Sequence, residues 1–221
     1  MTELVVVIAV MAILLGISVP TARHLMDSFE SSTGVRYLIN AALSNGRAIA
    51  VRNQAYAGVR FQQGTDGFTY MIFVVQDSAI AQGVSDPVLK GELSAYGFRA
   101  VVGRNPMKLP DGVTVDQCSV VFSPAGKLTT HLVRVWNKDG KTESDSIQSN
   151  DTIFNTKPIV DAGNAMFYQD DYDPPFDDNT PSVQQLTLST KSKYDSVVES
   201  STEFISPYTG DLVMEYREKS L

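Results

Sequence analysis

The chain has 221 residues, 43% of them hydrophobic, and its 25 acidic and 18 basic side chains give a net charge of −7. That length holds one packed domain with additions, and the acidic balance argues against nucleic acid as the main partner. Cys118 is the single cysteine, which excludes an internal disulfide and a four-thiolate zinc site.

The first element is the run Leu4–Val19, in which only Gly16 and Ser18 are less than strongly apolar. A helix at a protein surface shows a polar stripe every three or four residues, and this run shows none. It is slightly short of the ~20 residues that cross a bilayer core, but Met1, Thr2, Thr21 and Ala22 extend it, and Arg23 and His24 mark a water interface. A cleavable signal peptide starts basic, whereas Glu3 makes this start acidic. A helix buried in a soluble core would need more apolar surroundings than the rest of the chain supplies. Residues 1–24 therefore read as a retained transmembrane assembly segment that includes Leu4, Val7, Ile8, Met11, Leu14, Leu15 and Val19. Two readings of Glu3 stay open: an interfacial carboxylate favoured by the helix dipole, or one that awaits a cation from another chain.

Pro20 removes a helical hydrogen bond and predicts a kink. Beyond it, Leu25, Phe29, Val35, Leu38, Ile39, Ala42, Ile49 and Ala50 recur at three- and four-residue steps, which predicts an amphipathic helix over 25–56. Gly34 and Gly46 each weaken such a helix by roughly 1 kcal/mol relative to Ala. The expectation is one helix of about fifty residues, half in lipid and half laid on a sheet.

A β-domain over 57–140 follows. Gly58–Gln62 and Phe68–Gln76 flank the hairpin signal Gln63–Gly67. Strands are also predicted over 98–102, 113–115, 119–122 and 130–136, with turn chemistry at Pro110-Asp111-Gly112 and Ser123–Gly126.

The last third, 141–221, is an acidic extension. It carries 15 acidic against 6 basic residues, while residues 1–140 carry 10 against 12. Residues 139–151 read as an exposed polar loop, 182–188 as a strand, 193–200 as a short helix, and 205–213 as a turn feeding a last strand. The acidic run 169–179 has two readings, a calcium loop or a solvated loop, and its spacing departs from an EF-hand.

Three stretches carry a resemblance. The order of Glu3, the apolar run and Pro20 resembles the N-terminal assembly segment of type IV pilins and type II secretion pseudopilins. Leu43–Asn53, with Arg47-Ala48-Ile49 and Arg52-Asn53, resembles the minor pseudopilins of the GspH/FimT class. So does the order Leu109–Val115 followed by Val121–Gly126. The resemblance covers residues 1 to about 136 and implies an α+β, pilin-like fold, with a long N-terminal helix packed on antiparallel β-sheet. It further implies a non-catalytic filament subunit driving type II protein secretion, with Glu3 and Pro20 as assembly residues. Its partners would be other pseudopilins or pilins, met through the N-terminal helix, and it would sit as a single-pass protein of the bacterial inner membrane with a periplasmic C-terminal domain. The family's prepilin peptidase site, a basic leader ending in Gly before Phe-Thr, does not precede Glu3 here. The pattern predicts that such a leader is encoded upstream of Met1.

Catalytic signals are sparse. His24 and His131 have no ligand neighbours at metal spacing, no nucleotide-binding or nucleophile motif is present, and no pattern requires a cofactor. Cys118, in a predicted strand, reads as a small buried residue or a reactive thiol. Besides the secretion subunit, the sequence allows a minor type IV or DNA-uptake pilin, and, from another class, a membrane-tethered β-domain that binds a ligand.

Overall fold

The computed structural model describes Met11 and residues 32–83, 87–170, 181–191 and 198–214. They fall into two units divided between Leu38 and Ile39. The helices among them are α1 (Ser32–Asn53), α2 (Pro87–Tyr96) and α3 (Lys157–Asp161), with a 3-10 turn at Ser78–Gly83. The strands are β1 (Ala57–Gln63), β2 (Thr69–Gln76), β3 (Gly97–Ala100), β4 (Met107–Lys108), β5 (Val113–Val115), β6 (Cys118–Phe122), β7 (Leu128–Thr129), β8 (Arg134–Val135), β9 (Phe154–Asn155), β10 (Phe167–Tyr168), β11 (Gln185–Lys191), β12 (Val198–Ile205) and β13 (Leu212–Met214).

A seven-stranded sheet runs β7-β6-β1-β2-β3-β8, with β4 also on β2. Its ladders are antiparallel except β3–β8. A four-stranded antiparallel sheet runs β13-β12-β11-β5, and β9 and β10 pair in parallel. Six consecutive residues of β1 are buried, the mark of a strand covered on both faces. On one face Ile72, Val74, Phe98 and Val121 pack with Phe154 and Phe167 from a long excursion, Asn137–Asp170, between β8 and β11. On the other, α1 reaches β1: a Cβ on Gly46 would lie 3.2 Å from the backbone of Gly58 and from Val59.

This architecture corrects the expected fold class. Among the described residues the protein is mostly β-sheet with three short helices. The 22-residue α1 is the longest of them, and it is not the fifty-residue N-terminal helix laid pilin-style on a sheet. The physical reason lies in the last third, which builds a second sheet and covers one face of the first.

The expected single-pass inner-membrane placement is corrected as well: among the described residues no helix is long and apolar enough to cross a membrane. The longest of the described helices, α1, carries Arg36, Arg47 and Arg52. The run Leu4–Val19, apart from Met11, lies outside the described residues.

Two local expectations also change. Residues 198–200, read as the end of a helix, begin β12. The loop 139–151 is not simply exposed, since Ser149 and Asp151 are buried.

Candidate functional site

The polar centre of the body is built on β1. Alternation along that strand turns Arg60 and Gln62 toward the face that the excursion covers. Arg60 is 2% exposed and pairs with Asp170 at the excursion's end. Its Nη2 donates to Asp170 Oδ1, its Nη1 donates to Oδ2 at 3.2 Å, and its Nε donates to Gln62 Oε1 at 2.7 Å. Gln62 Nε2 donates to the Tyr168 carbonyl at 2.9 Å. Asp170 Oδ2 also accepts the Val135 N–H at 2.7 Å. Burial pushes the Asp170 carboxyl up, and the Arg60 charge works against that. Next to the pair, Gln169 Oε1 accepts the Asn137 N–H at 3.1 Å and its Nδ2 at 2.6 Å. The excursion is thereby fixed at both ends.

This docking shapes an open cleft of about 640 Å³ with three walls. One wall is the β1–β2 turn, where Gly64 N–H bonds the Phe68 carbonyl and Gly67 N–H the Gly64 carbonyl. Asp66 in this turn accepts the Tyr70 O–H at 2.7 Å and the Phe68 N–H at 3.2 Å. The Tyr70 bond holds the Asp66 carboxyl below the usual carboxylate range and raises the Tyr70 phenol. The second wall is Asn105 and Pro106, between β3 and β4. The third is the excursion, with Thr152 and Ile153 facing the Gly163–Met166 stretch. There Met166 N–H bonds the Thr152 carbonyl and Phe167 N–H the Ile153 carbonyl. Gly163 takes a φ of +75°, which suits a glycine in the turn that leaves α3.

A second constellation joins α1 to the C-terminal third. Arg47 Nε donates to the Gly126 carbonyl at 2.7 Å and its Nη1 to the Thr209 carbonyl at 3.1 Å. Asn40 Oδ1 accepts the Leu212 N–H at 2.7 Å. Arg47 is one of the two basic residues of the helix stretch that carries the resemblance, and it acts here as a clamp on two turns.

Of the sequence-predicted site residues, Glu3, Leu4, Val7, Ile8, Leu14, Leu15, Val19 and Pro20 lie outside the described residues, while Met11 is helical and exposed. Most of the acidic run 169–179 lies outside them too. Its described members, Gln169 and Asp170, are buried in the docking network. Cys118 is buried in β6, and burial raises its thiol to about 12. His131 sits among the rings of Tyr56, Tyr96 and Phe98, its Nδ1 2.6 Å from the Leu132 carbonyl. Among the described residues no three His, Cys, Asp or Glu side chains gather to hold a metal ion.

The sequence reading missed the cleft. The one signal for it was the Gly64-Thr65-Asp66-Gly67 turn, which marks a hairpin and says nothing of the walls brought to it. No protein-family model, curated protein or solved structure matches the chain.

Proposed function

We propose that this chain is a non-catalytic structural subunit of a filament, of the minor pseudopilin kind, serving protein secretion. The observation that carries the reading is the order of Glu3, the unbroken apolar run Leu4–Val19 and Pro20, with no Gly/Ser-rich linker before α1. A run with no polar face needs apolar neighbours on every side, and equivalent runs of adjacent subunits would supply them. A carboxylate at the lip of that run would then meet a cation from a neighbouring chain, such as an N-terminal amine. The described body is consistent with a structural part. Its buried charged pair Arg60–Asp170 holds two segments of the chain together, and burial favours the neutral thiol of its cysteine. A minor type IV or DNA-uptake pilin would share the same start. The cleft favours a second reading, a β-domain that binds a ligand.

Glu3→Ala tests the first reading. Losing one partner of a desolvated ion pair costs about 3–5 kcal/mol, and each 1.4 kcal/mol is about tenfold in association. Crosslinking of the variant to partner subunits in cells, at matched expression, should fall by about two orders of magnitude or more. Crosslinking at the wild-type level would sink the paired-carboxylate role and favour the binding module.

A further inference from the structure

We propose that the cleft between the β1–β2 turn, the Asn105–Pro106 loop and the docked excursion binds a neutral, hydroxyl-rich ligand of the saccharide class. The argument starts from what the walls offer. Asn105 and Asn164 present side-chain amides, and Thr65 and Thr152 present hydroxyls, all on exposed residues of the lining. Each amide is both donor and acceptor. Asp66 adds a carboxylate whose two oxygens each accept one bond from the protein and retain acceptor capacity. Tyr70 gives an aromatic surface, fixed by its hydroxyl on Asp66 and by an edge contact with Phe167 at 5.3 Å between centroids. Pro106, Ile153 and Met166 complete the apolar share. A sugar ring has the matching pair of surfaces: hydroxyls that donate and accept around its edge, and a C–H face that packs on flat apolar groups. The volume of about 640 Å³ falls within the range of small-molecule clefts.

The same walls disfavour the other classes. Among the described lining residues the one charged side chain is Asp66, so a phosphate or carboxylate ligand meets a like charge in the wall and no lining cation to pair with. One carboxylate is too few ligands for calcium, which takes six to eight oxygens. A cationic ligand would compete with Lys108, whose charge already acts on Asp66. An extended peptide is held by an open strand edge, but β2 at Tyr70 is paired on both sides, with Gln62 of β1 and Lys108 of β4. The turn's own amides at Gly64 and Gly67 are bonded within the hairpin. A neutral polyol with one apolar face is what remains. This assignment stands independently of the filament reading.

The test uses the full chain and ligand-observed saturation-transfer NMR with cellobiose, maltose and N,N′-diacetylchitobiose at millimolar concentration. Pentapeptides and inorganic phosphate serve as comparison probes. At least one disaccharide should take up saturation, with the Tyr70 ring signals shifting in the same titration. Asn105→Ala and Asn164→Ala alter exposed side chains outside the packed core, so folding of the variants is checked by circular dichroism. Each should weaken binding by about tenfold, the effect of one well-placed hydrogen bond. Tyr70→Phe keeps the ring but frees Asp66, and should weaken binding less than either Asn variant. Absence of transfer to all three disaccharides would overturn the proposal. So would binding that the Asn variants leave unchanged, or binding of pentapeptides or phosphate alone.

Discussion

Replacing Asp170 by alanine removes the acceptor of two guanidinium N–H groups and of the Val135 amide, in a site where both charged side chains are under 5% exposed. Removing one partner of a buried pair destabilises by about 3–5 kcal/mol, because the remaining charge stays desolvated. Against a total of about 5–15 kcal/mol for an ordinary domain, that is about a fifth of the stability or more. The double variant Arg60→Met with Asp170→Leu removes both charges and should recover part of the loss, since well-packed apolar replacements of buried pairs are often neutral while the Val135 amide stays without its acceptor. Urea unfolding followed by circular dichroism measures both variants. Hydrogen exchange at the backbone amide of position 170, which bonds the Val135 carbonyl at 2.9 Å, reports whether the excursion loosens first. The reasoning fails if Asp170→Ala loses less than about 1 kcal/mol. It fails equally if the double variant is as unstable as the sum of its single changes.

Two further predictions rest on the same body. At Gly58 an added Cβ would lie 1.8 Å from the Val120 carbonyl oxygen, which is backbone and cannot turn away. Gly58→Ala should therefore lose about 3 kcal/mol or more in the same unfolding assay, and a loss under 1 kcal/mol would refute the packing between β1 and β6. Tyr70→Phe should bring the Asp66 carboxyl back up toward its ordinary value in a ¹³C NMR titration, because the phenol hydroxyl is the first cause of its lowering. In the wild type the stabilisation from Asp66 is present above the unfolded carboxyl value and disappears as pH falls through the lowered one, while that from Tyr70 disappears as pH rises through its raised value. An unchanged Asp66 titration in the Phe variant would show that the bond does not hold in solution.

Local patterning made much of the sheet readable. The Gln63–Gly67 turn announced the β1–β2 hairpin, and Pro110-Asp111-Gly112 and Ser123–Gly126 punctuated the strands around β5 and β6. The meaning of Gly46 was not readable. A glycine in a helix scores as a loss of about 1 kcal/mol, and only the structure reveals that it lets α1 approach Gly58 of β1. Arg47 belonged to a recognisable helix pattern, yet its acceptors lie at Gly126 and Thr209, too far along the chain for any local rule to pair them. The cleft was hidden for the same reason, since its three walls come from residues 64–70, 105–106 and 152–166. The overall class misled because the resemblance rested on the start and the middle of the chain. The final third, with its own sheet and its cover over Ile72, Val74 and Phe98, gave no familiar pattern.

The polar composition of the excursion has a physical reason once its backbone is followed. Between Asn137 and Asp170 regular structure is limited to α3 and the two-residue strands β9 and β10, so ladders satisfy few of its amides and carbonyls. Buried backbone groups must still find partners, and side chains supply them. Asn137 Oδ1 accepts the Asp139 and Lys141 amides. Asp151 accepts the Lys138 and Ile153 amides. Asn155 Nδ2 donates to the Ser149 and Asp151 carbonyls, and Gln148 Nε2 serves three more. A stretch that scores as solvated loop by composition is in this way a covering layer held by its own side chains. The Arg60–Asp170 pair is where that layer meets the sheet. An apolar pair would bury as well, but it would leave the Val135 amide without the carboxylate acceptor it has here. A network that specifies one seating of the excursion also fixes where Ile153, Asn164 and Met166 stand, so the walls of the cleft are set by contacts among residues that do not line it.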